Sequence, residues 1–167
     1  MQAINLNVNP GPGAITPEMQ SSQIMALVKE NIRELGNVSG VNNHEGSLIS
    51  EDQMKIGSVM VAARECGAYF LDSRTTSQTR VPQASMELGI PYYERNVFLD
   101  NTKNRNDILN EISRGVLIAN RQGAVIMIGH IWSAEVLPGI LREVYPVLKS
   151  KGYVFTTVSK SGAIKNP

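Results

Sequence analysis

His44 and His130 are the only two histidines in the chain. Any chemistry that needs an imidazole runs through one or both. Each sits in a short polar group, Asn42-Asn43-His44 and Gly129-His130. Two further groups have the same character, Asp72-Ser73-Arg74 and Asp100-Asn101. Histidine with aspartate suits zinc or a similar divalent ion, which lowers the pKa of a bound water and polarises a carbonyl. An arginine nearby can orient a carboxylate or steady developing charge. A second histidine can act as general acid to a leaving amine or alkoxide. Such a set could hydrolyse an acyl group. A zinc site wants three protein ligands. His44, with Asp72 or His130, supplies fewer.

Each group also has a plainer reading. Asp and Asn after a strand commonly bond their own backbone. A loop histidine such as His44 is more often solvated than a ligand. Asp72 and Arg74 could pair with each other as a surface bridge, worth roughly 0–1 kcal/mol. Asp72 and Asp100 could instead be paired carboxylates of a glycosidase. His130 follows an apolar run, which brings its ring to the rim of a core.

What must position these residues is an alternation of helices and strands. Thr16-Pro17-Glu18 reads as a helix start, and Ile24, Leu27, Val28, Ile32 and Leu35 recur at three and four up to Gly36. Val38–Val41 reads as a strand. Ser50 and Gln53 form a capping box, with Ile49 stapled to Met54, for a helix ending at Gly67. Tyr69–Leu71 and Val97–Leu99 read as strands, with a helix at Pro82–Leu88 between them. A helix from Arg105 to Arg121 presents Ile108, Leu109, Ile112, Val116 and Leu117 inward. Ala124–Ile128 is apolar throughout and fits a strand buried on both faces. A helix at Pro138–Lys149 contains Pro146, and Tyr153–Val158 reads as a last strand before a loose tail, 159–167. The alternation, repeated five times with Gly-terminated links, predicts α/β units on a parallel sheet, in one domain spanning 1–167. All four polar groups fall just past a strand's C-terminal end. Loops at that edge of a parallel sheet bind and react, so the four groups are expected to meet on one face. Tyr92, Tyr93 and Trp132 are expected near that face.

Composition narrows the classes. Hydrophobic residues at 42% and charged residues at 19% exclude a disordered, collagenous or coiled-coil chain. The single cysteine, Cys66, excludes an internal disulfide and a Cys-rich zinc module. A net charge of +1 with no Lys/Arg run gives no footprint for nucleic acid. The longest apolar stretch, Ala124–Trp132, is too short to span a bilayer, and the first residues do not read as a secretory signal.

Four ordered strings, Gly40-Val41-Asn42-Asn43-His44-Glu45-Gly46-Ser47, Phe70-Leu71-Asp72-Ser73-Arg74-Thr75-Thr76, Val97-Phe98-Leu99-Asp100-Asn101 and Ile128-Gly129-His130, resemble the divergent polysaccharide deacetylase family. The opening Asn9-Pro10-Gly11-Pro12-Gly13-Ala14-Ile15-Thr16 matches too, so the resemblance runs from about Met1 to Val158. It implies a distorted, incomplete (β/α) barrel, a divalent metal, usually zinc, and a relation to esterases that remove N- or O-acetyl groups from carbohydrates. By that likeness His44 is a metal-ligand histidine and His130 the late catalytic histidine. Asp72 and Arg74 are the acidic and basic residues at the site edge. Asn42, Asn43, Ser73, Asp100 and Asn101 are then the candidates for contacting substrate. A periplasmic or extracellular location follows from the same likeness.

Glu45 stands where the family more often has Met, and Ile131 where it more often has Pro. The family's opening strand with paired aspartates, and a later strand ending in histidine, have no counterpart here. The chain is therefore expected to be a family domain without its first strands. It should hold zinc weakly, and an unpaired sheet edge should favour self-association. Two functions follow: a metal-dependent deacetylase acting on an acetylated carbohydrate, or an inactive carbohydrate-binding or envelope-associated domain.

Overall fold

The computed structural model describes residues 1–5, 7 and 9–167. The chain divides into two compact units. The first comprises Met1–Glu94 with Ile164–Pro167, and the second Arg95–Ala163.

The first unit is built on three parallel strands in the order β1-β2-β3: β1 (Gly40–Asn42), β2 (Tyr69–Asp72) and β3 (Tyr93–Glu94). Val41 pairs with Phe70, and Asp72 with Glu94. Helix α1 (Ser21–Leu35) buries Ile24, Val28 and Ile32, a stripe at four-residue spacing. It packs on α3 (Gln53–Glu65), whose Gly57, Ser58, Ala62 and Ala63 are buried and let neighbours approach closely. A short α2 (Ser47–Ser50) precedes α3, and α4 (Val81–Leu88) packs on the first half of α3, where Gly57 faces Leu88 and Ala84. Phe70, Met60, Ile56 and Ile49 are fully or nearly fully buried in the resulting core. Lys165 forms an antiparallel bridge to Tyr92, so the end of the chain is tied to this unit.

The second unit carries two parallel strands, β4 (Val97–Phe98) and β5 (Met127–Ile128). Helix α5 (Arg105–Gln122) is capped by Asn104, whose side chain accepts from the amides of Asn106 and Asp107. It buries Ile108, Ile112 and Gly115. Helix α6 (Leu137–Ser150) runs through Pro146 and buries Leu137 and Ile140. Val97, Leu99 and these side chains form the second core. No described helix is long and apolar enough to cross a membrane.

Parallel strands alternating with helices are as the sequence indicates, with local differences. The first helix starts at Ser21, not at Thr16, because Gln20 and Gln23 make a reciprocal capping box. Thr16–Met19 is a turn. Asp52, not Ser50, caps α3, through the Lys55 amide, and Met54 is exposed. Leu117 lies on the outer side of α5; Gly115 takes the inner position against Met127. Only Met127 and Ile128 of the apolar run form a strand, and both are half-buried. Tyr153–Val158 forms no strand. Tyr93–Glu94 does, although Pro91 before it hides the signal.

Gly40 lies beneath the Tyr69 ring of its partner strand. A Cβ there would stand 2.1 Å from that ring, which itself packs edge-on against Tyr93 at 5.0 Å. Gly40→Ala is expected to destabilise the first unit by about 1–3 kcal/mol through this overpacking, read as a lower urea midpoint.

Candidate functional site

Parallel pairing brings Asn42-Asn43-His44 and Asp72-Ser73-Arg74 to one edge of the first unit's sheet. Asp72 is fully buried there. Its Oδ1 accepts from Asn43 Nδ2 at 3.0 Å and from the Arg74 amide at 2.9 Å, and its Oδ2 accepts from the Thr79 hydroxyl at 3.0 Å. Asn43 Oδ1 accepts from the Ser73 amide at 2.5 Å, and Asn42 Nδ2 donates to Ser73 Oγ at 2.9 Å. The ends of β1 and β2 are thus laced together through side chains. Arg74 has a left-handed backbone, φ 52°, and its guanidinium lies 3.9 Å from the Glu94 carboxylate. Burial, with the charges of Glu94 and Asp72, pushes the Tyr92 phenol up to about 12, so it stays neutral. His44 is exposed at the turn after β1, and its carbonyl accepts from the Met1 amine.

In the second unit the register pairs Val97 with Met127 and Phe98 with Ile128. Two residues further along each strand stand Asp100 and His130. His130 Nδ1 lies 2.8 Å from Asp100 Oδ1. Asp100 Oδ2 accepts from the His130 amide and from the Ser133 hydroxyl, both at 2.5 Å. Asp100 is 1% exposed. Burial alone would raise its pKa, but the bonds from Ser133 and His130, with the imidazole's charge, hold it below the usual carboxylate value. Gly129 makes the close approach workable: a Cβ there would stand 2.3 Å from Leu137 Cδ2. Asn101 is exposed beside this group.

The imidazole also lies in a row of planar groups. Trp132 stacks on it at 4.0 Å with an 11° tilt, and Phe98 lies 5.1 Å away on a 40° tilt. The Arg95 guanidinium sits 3.7 Å above the Phe98 ring. Ser133, Phe98 and Arg95 are contributors that the sequence reading did not single out. Ser133 is three residues past His130 in a short turn, a spacing that could have marked it.

Asp100 with His130 forms a carboxylate–imidazole pair. The carboxylate holds the ring at Nδ1 and so fixes its orientation. The Asn42–Arg74 group is chemically different: Asp72 is closed in by donors and acts as a brace. Among the described residues no three His, Cys, Asp or Glu side chains form a group able to hold a metal ion. The residues present therefore do not fit the zinc site that the sequence resemblance implies. A zinc titration of this chain is expected to show binding weaker than micromolar; stoichiometric tight uptake would contradict this.

The depressed pKa of Asp100 means that its stabilisation is present above the ordinary aspartate value of about 3.9 and is lost as pH falls through the folded-state value. Trp132, the sole tryptophan, lies in the second unit and reports its unfolding. Asp100→Asn should lower that unit's stability by about 2–3 kcal/mol near neutral pH and flatten its acid dependence, as seen in Trp132 emission during urea titrations.

The family model described as divergent polysaccharide deacetylase matches residues 1–161. The chain is 34% identical over 122 residues to the uncharacterized protein YibQ of Escherichia coli K12, covering 73% of this chain and 38% of that protein. It is 28% identical over 118 residues to an uncharacterized protein of Haemophilus influenzae, covering 71% and 42% respectively. The chain thus spans about two-fifths of these relatives' length. A crystal structure of the uncharacterized Agrobacterium tumefaciens protein ATU2773 shares the fold, with TM-score 0.70 and 22% identity over 87% of this chain and 60% of that one. With four ordered motifs on strand ends and a family match over nearly its whole length, the chain belongs to the divergent polysaccharide deacetylase family.

Proposed function

We propose that the chain carries the proton-transfer part of a deacetylase-type hydrolase acting on an acetylated glycan. The observation that supports this reading is the buried Asp100 carboxylate gripping His130 Nδ1 at 2.8 Å, in a chain of this family. In removal of an acetyl group, water adds to the carbonyl and the sugar amine or alkoxide departs. The departing group needs a proton. An imidazole whose other nitrogen is held by a carboxylate is suited to deliver it from Nε2, and the carboxylate stabilises the charged ring before transfer. Asp72, Asn43 and Ser73 serve by fixing the loop edge of the other unit. Asn101, exposed in the same unit as His130, is the polar candidate for a sugar hydroxyl. The same reading places the protein in the periplasm or outside the cell.

The lack of a metal-grade cluster among the described residues favours a second reading, a glycan-binding domain without turnover. Acetate release separates the two. Under the first reading the protein, supplied with divalent metal, releases acetate from an N-acetylated oligosaccharide, and His130→Ala lowers the rate about 10²–10⁴-fold. Saturable binding with no acetate released would establish the second and end the first.

A further inference from the structure

Trp132 is 51% exposed although one face of its indole lies flat against His130 at 4.0 Å. Its ring N–H donates to the Asp100 carbonyl at 3.4 Å. Asp100 therefore tethers both rings, the imidazole through its carboxylate and the indole through its backbone. The next residue, Ser133, is fully buried and bonded to the same carboxylate, which anchors the turn carrying the indole. An indole stacked, tethered and anchored in this way is a rigid plate with one face taken and the other open. The residue between the two rings, Ile131, is 88% exposed and extends the apolar surface at the tip of the turn.

We infer that the outer face of Trp132 is a subsite for a pyranose ring, and that it selects an oligosaccharide over a single sugar. This rests on the glycan reading above. A pyranose presents a flat patch of C–H groups about the size of one aromatic ring, and dispersion favours contact at about 3.5–4.0 Å between carbons. A ring seated there lies on the far side of the indole, roughly twice the stacking distance from the imidazole. That is too far for its own acetyl group to meet His130. The sugar on the plate is therefore a neighbour of the one being deacetylated. Aromatic rings suit this task because they supply large contact area at low entropic cost. The plate is pre-ordered by His130 and Asp100, so little further ordering opposes binding.

The sole tryptophan is its own probe. Titrating the protein with an N-acetylglucosamine tetramer should change Trp132 emission saturably, and the monomer should do so only at much higher concentration. Trp132→Ala should bind the tetramer about tenfold more weakly by calorimetry, within the range of one aromatic contact. Trp132→Phe should recover part of that loss. Emission unmoved by millimolar tetramer overturns the subsite. So does a folded Trp132→Ala protein that binds the tetramer as tightly as the parent. Acetate release is scored separately, so loss of the subsite and loss of the hydrolase reading are told apart.

Discussion

The second unit is organised around one buried carboxylate. Asp100 has almost no contact with water, and an ion in that setting survives only if its lone pairs are met. Here they are met by the His130 amide, the His130 ring and the Ser133 hydroxyl. Every one of these donors lies on a single turn after β5, so the charge of one strand end dictates the conformation of the turn after the other. The orientation of the imidazole, the stacking of Trp132 and the burial of Ser133 all follow from that requirement.

The first unit answers the same problem with different partners. Asp72 is also fully buried at the end of a parallel strand, but its donors are an asparagine amide, a backbone amide and a threonine hydroxyl. None of these transfers a proton near neutral pH. Two aspartates in equivalent sheet positions thus differ in what they can do, and the difference lies wholly in their partners. Asp100 is paired with a titratable imidazole, whereas the donors around Asp72 are all neutral.

Much of this was legible in the residues. Gly-terminated helices with stripes such as Ile24, Val28 and Ile32 mark themselves, because burial follows the helical period. Placing Asp100 and His130 at strand ends needed only the apolar runs before them. Their pairing was not legible, since it depends on the register of β4 against β5, which strands of two residues do not announce. Helix starts were misplaced where side-chain bonds decide: Gln20 and Asp52 each outcompete a better-looking neighbour by reaching the right amide. Tyr153–Val158 has strand-like residues, yet Val154 and Phe155 are left exposed, for β-propensity without a partner strand forms nothing. Ser133 carried only one signal, its spacing three residues past His130, and its burial shows only in the fold.

A strand pair with two residue pairs contributes few ladder bonds. Asn96 supplements it at one end, where its side chain accepts from the Ile126 amide and its own amide donates to the Ile126 carbonyl, both at 2.8 Å. Asp100 and its donors close it at the other end. The side chains proposed to handle the proton are therefore also the clasp of the strand pair. Position and chemistry are not separable here: a change that frees the carboxylate for a new role also releases the turn that carries His130 and Trp132. Hydrogen bonds to a charged, buried group contribute more than neutral ones, and losing one leaves an unmet charge. A well-aimed imidazole and a closed second unit thus depend on the same few atoms, while Ile131 and Trp132 on the same turn remain exposed.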